Sequence, residues 1–367
     1  MGQPIDQNRN IGLDIIRATT AILMVLTSHS WLIFIAGRYY LSIFGVIGVE
    51  LFFILSGFLL GSILFKEFAI APFSLKTLKI FWIRRWFRTL PLYFIFLLFN
   101  ICVTNVIFET KVWNWKYFFF LQNFVGPHPS MMIEAWSLSV EEWFYLSFPL
   151  ILFSFLRFFK DKRRGFLWLT VGYICLFTGL RIYFAFEEGL NWDSQIRHIV
   201  MLRLDAIGYG VLAAYMLTRY KERIGTLQNK FFLFGLGLGL GAICFYFYCK
   251  SAGMLNSAYF KILLFPLLSF SAIFILYKCI WVDIKIPLIK TLIVKMSLYS
   301  YSAYLVHMAI VVPTFQSFEI FKKEPIITYT IYVIVVFVIS HFTFRFIEQP
   351  FLKIRDTFFK YHTREKA

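Results

Sequence analysis

The chain has 367 residues, 59% of them hydrophobic, with 47 phenylalanines and a mean hydropathy of +0.70. A soluble fold of this size does not hide such an apolar load, so the composition points to an all-α polytopic membrane protein. The formal net charge of +17 suggests nucleic acid at first sight, but no basic and aromatic module lies outside the apolar runs, and nucleic-acid binding is excluded.

Apolar runs of about 20 residues, the length a helix needs to span a bilayer, fall near 12–36, 43–65, 83–107, 140–159, 166–186, 197–218, 231–249, 259–281, 297–317 and 326–347. They predict a bundle of about ten transmembrane helices over 12–350, in a single domain covering 1–367 with short tails. If the N-terminus is cytoplasmic, the even-numbered connections and the two tails hold about 25 of the 37 Lys and Arg, and the odd-numbered connections about 8. That asymmetry puts both termini in the cytoplasm, with the basic excess set by topology and facing anionic lipid. The first run has no small-residue cleavage site and reads as a retained helix. The five cysteines lie mostly in apolar runs without metal spacing, and no metal site is expected.

The first run, GLDIIRATTAILMVLTSHSWLIF, carries Asp14, Arg17 and His29. An ionisable residue inside a span is a functional-site hypothesis by default, although a membrane histidine also serves as a plain helix-to-helix hydrogen-bonding group. After the second run comes RRWFRTLPLY, with Arg84, Arg85 and Arg88 entering the third helix. Guanidinium forks grip phosphate oxygens, whereas a topological anchor would use the same residues without a ligand. EAWSLSVEEWFYL then opens the fourth helix with Glu141 and Glu142. Such a pair complements a helix macrodipole, or, at the outer interface, orients and activates an imidazole.

Further on, MLRLDAIGYG places Arg203 and Asp205 in the sixth helix, with Gly208 and Gly210 allowing close packing. A structural salt link and a part in substrate binding are equally open there. SLYSYSAYLVH puts Tyr304 and His307 in the ninth helix, as pocket or structural groups. His341, Arg345 and Glu348 precede Pro350 in the tenth and suggest end-of-helix bracing.

Taken together, LDIIRA with its following His, GVELFFILSGFLLG, RRWFRTLPLY, WSLSVEEWFYL, RLDAIGYG, SYSAYLVH and IEQPF resemble the bacterial acyltransferase-3 family of integral-membrane O-acyltransferases. The resemblance implies a multi-pass protein of the bacterial cytoplasmic membrane. It would take an acyl group, most often acetyl, from cytoplasmic acyl-CoA (acetyl-CoA) and deliver it to a hydroxyl of a surface or exported glycan. The family's first-helix arginine and histidine fall on Arg17 and His29, its arginine motif on Arg85 and Arg88, and its acidic motif on Glu141 and Glu142. His29 is then the expected general base and Glu141 its orienting acid, while Arg17, Arg85 and Arg88, joined by Arg84, bind the CoA phosphates. Some members carry an extra soluble hydrolase-like domain, so onward transfer of that kind is expected of a separate protein.

One departure from the family carries a structural expectation. Eleven residues separate Arg17 from His29, where the family usually has ten, and twelve positions at about 100° each leave the two about 120° apart. A π-bulge between Thr19 and Thr27 would restore a common face. A transporter or flippase also fits buried charge in ten helices, but no inverted repeat is evident; a non-catalytic scaffold is the third reading.

Overall fold

The computed structural model describes residues 9–28, 37–70, 74–107, 114–311 and 325–364, and every regular element among them is helical. α1 spans Ile11–Ser28 and α2 Gly37–Leu64, the latter prolonged by a π-helical turn, Phe65–Ile70. α3 covers Leu75–Ile107, α4 Ala135–Phe155 and α5 Lys162–Ala185. A π turn at Trp192–Arg197 and a 3-10 turn at Val200–Leu202 lead into α6, Leu204–Arg219, followed by α7, Lys221–Ser251, and α8, Ala258–Cys279. α9, Pro287–Val306, ends in a π turn, His307–Val311. A further π turn, Phe344–Glu348, joins α10, Pro325–Thr343, to α11, Gln349–Arg364.

Among the described residues, seven helical stretches are long and apolar enough to cross a membrane: Leu41–Ile70, Leu75–Val103, Ala135–Phe158, Lys162–Ala185, Lys221–Ser251, Ala258–Cys279 and Ile326–Phe358. α1, α6 and α9 pack among them. α6 has only 16 residues, and α9 is held back by Lys290, Lys295 and a half rich in serine and tyrosine. Local chemistry sets several boundaries. Asp161 caps α5 by accepting from the N–H groups of Arg163 and Arg164, Ser257 caps α8, and Pro287 opens α9, each satisfying or removing a donor that the first turn leaves orphaned.

α2 and α6 pack closely because glycine faces glycine. A Cβ on Gly57 would stand 2.0 Å from the Ile207 carbonyl oxygen, and one on Gly210 would stand 2.3 Å from that of Ile54. Small residues at such crossings are how membrane helices gain contact without a hydrophobic driving force. Buried aromatic side chains fill the centre, with Phe148 against Phe144, Phe166 and Tyr173. Leu233, Phe234 and Leu240 of α7 are exposed, the pattern of a lipid-facing helix.

α1 and α9 run the same way. His341, late in α10, sits 2.8 Å from the Tyr299 hydroxyl, in the second half of α9, while Tyr332 and Tyr329, early in α10, donate to the Val25 and Leu26 carbonyls, late in α1. Asp14 and Arg17, early in α1, meet Ser297 in the middle of α9.

Several expected boundaries move. α3 starts at Leu75, so Arg84, Arg85 and Arg88 stand inside a helix and not in a connection. α4 starts at Ala135, which places Glu141 and Glu142 in its second turn, buried, and not at its N-terminus. The sixth helix begins only at Leu204, because Arg203 takes a non-helical conformation (φ −131°) at its N-cap. The expected π-bulge in the first helix is absent: Ile11–Ser28 is unbroken α-helix. Thr20 and Thr27 do bond backward, to the Ile16 and Leu23 carbonyls at 2.9 and 2.7 Å, but such bonds are compatible with an intact ladder.

Candidate functional site

The three arginines of α3 and the arginine of α1 meet in one cavity of about 1170 Å³. Arg17, Arg84, Arg85 and Arg88 line it together with Lys66 from the π turn after α2 and Arg355 from α11. Thr77, Phe81, Arg84 and Arg88 recur at helical spacing along the cavity wall, so one face of α3 forms a basic ramp about 16 Å long. Glu67 and Asp356 are its acids, and Leu59, Ile63, Phe68, Ile80 and Phe81 supply apolar wall.

Arg17 is held from below. Asp14 receives Arg9 at 2.5 and 2.7 Å, Arg17 at 3.2 Å and the Ser297 hydroxyl at 2.5 Å, and Arg17 also donates to Ser297 at 3.0 Å. These bonds use one nitrogen of the Arg17 fork; a guanidinium with one edge fixed is pre-organised to present the other.

Glu141 and Glu142 lie beside this cavity without lining it. Thr89, next to Arg88, donates its hydroxyl to Glu142 at 2.7 Å, and Tyr301 donates to the Thr89 carbonyl at 2.7 Å. Arg85 lies 4.9 Å over the ring of Tyr145, one turn beyond Glu141, and Glu141 sits in the field of Arg85 and Arg88. The expected position of the pair at the outer interface is thus corrected: helix four begins a turn and a half earlier, which draws both carboxylates into the bundle. Glu141 Oε1 is buried without a hydrogen-bond partner. Glu348 joins the cluster from the π turn after α10, accepting from Ser302 at 3.0 Å in the field of Arg88 and Arg17. Its position late in an apolar run points in sequence to end-of-helix bracing; the structure sets it beside the arginines.

Arg203 and Asp205 do not pair with each other. Arg203 donates to Glu50 of α2 and lies 3.7 Å over the Phe265 ring, while Asp205 accepts from Arg181 of α5 at 2.6 Å and from Thr178 at 2.9 Å. All four charged side chains are almost wholly buried, and the cluster ties α2, α5 and α6 together. Glu50 and Arg181 had no place in the sequence reading, although both are ionisable groups within apolar runs.

Tyr304 bonds Ser137 at 2.7 Å and the Glu134 carbonyl at 2.6 Å, and His307 sits buried with Nδ1 3.0 Å from the Ala303 carbonyl. Both lie two to three turns along α9 from Ser297, away from the arginine cavity. At that end Arg197 donates to Asp193 at 2.5 Å, lies 5.1 Å over Trp136 and approaches His198 Nε2 at 2.8 Å. Burial, with help from Arg197, pushes the His198 imidazole down to about 3, so it is neutral and accepts. His29 lies outside the described residues. No group of three metal-ligating side chains occurs among the described residues.

A sequence family described as an acyltransferase domain matches residues 10–345. A Staphylococcus aureus (strain COL) protein provisionally named an O-acetyltransferase is 28% identical over 363 residues, covering 93% of this chain and 57% of its own length. O-acetyltransferase OatA of Staphylococcus aureus (strain MRSA252) is 27% identical over 387 residues, covering 97% of this chain and 59% of its own. The chain thus spans under two thirds of the length of these curated relatives. No solved structure gives a significant match. The family match runs through the segments that build the arginine cavity, the Glu141–Glu142 pair and the α2–α6 crossing, and the chain belongs to the acyltransferase-3 family.

Proposed function

We propose that the protein is a membrane-bound O-acyltransferase that takes an acyl group, acetyl in the first instance, from acyl-CoA on the cytoplasmic side and transfers it to a hydroxyl of a surface or exported glycan. The observation that carries this reading is the gathering of Arg17, Arg84, Arg85 and Arg88, from two helices, in one cavity. Four guanidinium forks around an open space match a ligand with several phosphate groups. The positive-inside asymmetry supports the cavity mouth and both termini on the cytoplasmic side of a bacterial inner membrane, with α1–α10 as the spans.

In this reading Asp14 fixes Arg17, and the arginines hold the diphosphate while the pantetheine arm extends into the bundle. Glu141 Oε1, lacking a partner, accepts from an amide N–H of that arm. His29 follows Ser28 directly in the sequence. The acceptor hydroxyl gives its proton to the His29 imidazole as its oxygen bonds to the thioester carbonyl carbon. The C–S bond then breaks, and the departing thiolate takes the proton. Holding both reactants in one bundle turns an encounter across the membrane into an effectively intramolecular step.

Purified full-length protein tests the donor half by direct acyl-CoA binding, and mass spectrometry of surface glycans from cells with and without the gene tests the transfer. Binding together with a gene-dependent acetyl mass difference is expected. A transporter would give neither, and a scaffold would leave transfer unaffected by His29→Ala.

A further inference from the structure

The cavity has an internal order. At its deep end Arg17 and Arg88 share the field of Glu348, and the Arg17 side chain is 15% exposed. Toward the start of α3 the lining passes through Arg84 and Phe81 to Thr77. Lys66 stands seven residues past the lining residue Leu59 on the α2 side, and Arg355 stands seven residues, two helical turns, past Glu348 on the α11 side. Both displacements are about 10 Å along their helices. Lys66 is exposed and Arg355 half-buried, so two cations from separate elements stand toward the mouth of the cavity.

Arg355 donates to Asp356 at 2.8 and 2.9 Å. The aspartate is more than half exposed, so it holds the guanidinium in place weakly and can be displaced by a stronger acceptor. A phosphate monoester is such an acceptor, with about −1.5 to −2 charges and three acceptor oxygens at pH 7.

We infer that Lys66 and Arg355 form a distinct mouth subsite for a terminal phosphate monoester, separate from the diphosphate grip of Arg17, Arg85 and Arg88. This rests on the donor reading above and names what selects the donor: a nucleotide thioester carrying a 3′-phosphate on its ribose. In such a molecule the ribose phosphate lies on the far side of the diphosphate from the thiol. A thiol end directed into the bundle leaves that phosphate at the mouth. Lys66 owes its position to the π turn, which winds Phe65–Ile70 more widely than an α-helix does, and such turns concentrate at functional sites.

The test compares CoA with 3′-dephospho-CoA on the purified full chain, wild type beside Lys66→Gln, Arg355→Gln and the double variant, in neutral-lipid nanodiscs. Wild type is expected to favour CoA about tenfold, the size of one charge-assisted contact. Each single variant lowers that preference and the double variant removes it, with 3′-dephospho-CoA affinity unchanged. Retained dephospho-CoA affinity also reports an intact fold. Equal binding of both ligands by wild type, an undiminished preference in the double variant, or equal weakening of both ligands overturns the subsite. A preference that depends on these residues only when anionic lipid is added assigns them to a lipid headgroup and likewise overturns it. Absence of any CoA binding by wild type instead overturns the donor reading itself.

Discussion

Thr89 donates its hydroxyl to Glu142 at 2.7 Å, and through that bond the arginine helix and the acidic helix are fastened one residue beyond Arg88. The carboxylate pair thus adjoins the guanidinium cluster where α3 meets α4, beside the cavity that Arg17 of α1 also lines. Opposite charges facing each other across a membrane interior offset the desolvation that either set would suffer alone.

Donor affinity is expected to depend on fork geometry. Arg85→Ala with Arg88→Ala should weaken acyl-CoA binding by about 100-fold or more, two charge-assisted contacts at about 1.5–3 kcal/mol each. Lysine at the same positions should restore only part of it. Isothermal titration at two salt concentrations checks this, with affinity falling as salt rises; unchanged affinity in the double variant would return the cluster to a topological anchor.

His29→Ala should reduce acyl transfer by about 10²–10⁴-fold, the worth of a positioned general base, while the protein still inserts and binds donor. His307→Ala should cost less, because its ring is buried against the Ala303 carbonyl and beside Tyr304. Initial rates of transfer with saturating donor measure both; losses of equal size would remove the distinction between the two histidines.

The buried Glu50–Arg203 pair is expected to matter for folding and not for donor affinity. Glu50→Ala leaves Arg203 as an unpaired buried cation, a loss of about 3–5 kcal/mol. Replacing both, Glu50→Met with Arg203→Met, should recover most of that, since an apolar pair of similar volume needs no partner. Thermal denaturation midpoints in detergent read the difference; a double variant no better than Glu50→Ala would contradict it.

The neutral His198 gives a pH dependence of defined sign. Its native proton affinity is lowered to about 3, against about 6.5 when unfolded. Between those values the unfolded chain binds the extra proton, so stability falls as pH drops, by about 1.4 kcal/mol per pH unit from this one group. Above pH 7 the group contributes no slope. The denaturation midpoint of His198→Gln should therefore decline less than wild type between pH 6.5 and 4.5; parallel curves would refute the assignment.

Composition and hydropathy alone determined that this is a helical membrane chain, because bilayer thickness demands long apolar runs whatever their packing. Spacing also brought Arg84, Arg85 and Arg88 onto one stretch of helix, since helical period is a local property. Where those residues meet others was decided by tertiary structure. Lys66 and Arg355 lie 289 positions apart in sequence yet share one cavity, and Arg203 finds Glu50 instead of its near neighbour Asp205. No periodic signal records such pairings, because they arise from which helix faces cross. The π turns are the sharpest case: the spacing of Arg17 and His29 suggests one in α1, but the wider turns form at Phe65–Ile70, Trp192–Arg197, His307–Val311 and Phe344–Glu348. Those turns lie where helices end or join, whereas α1, packed against α2 and α9, keeps a regular ladder from Ile11 to Ser28, because helix geometry there is set by the neighbours it meets and not by the spacing of its charged residues.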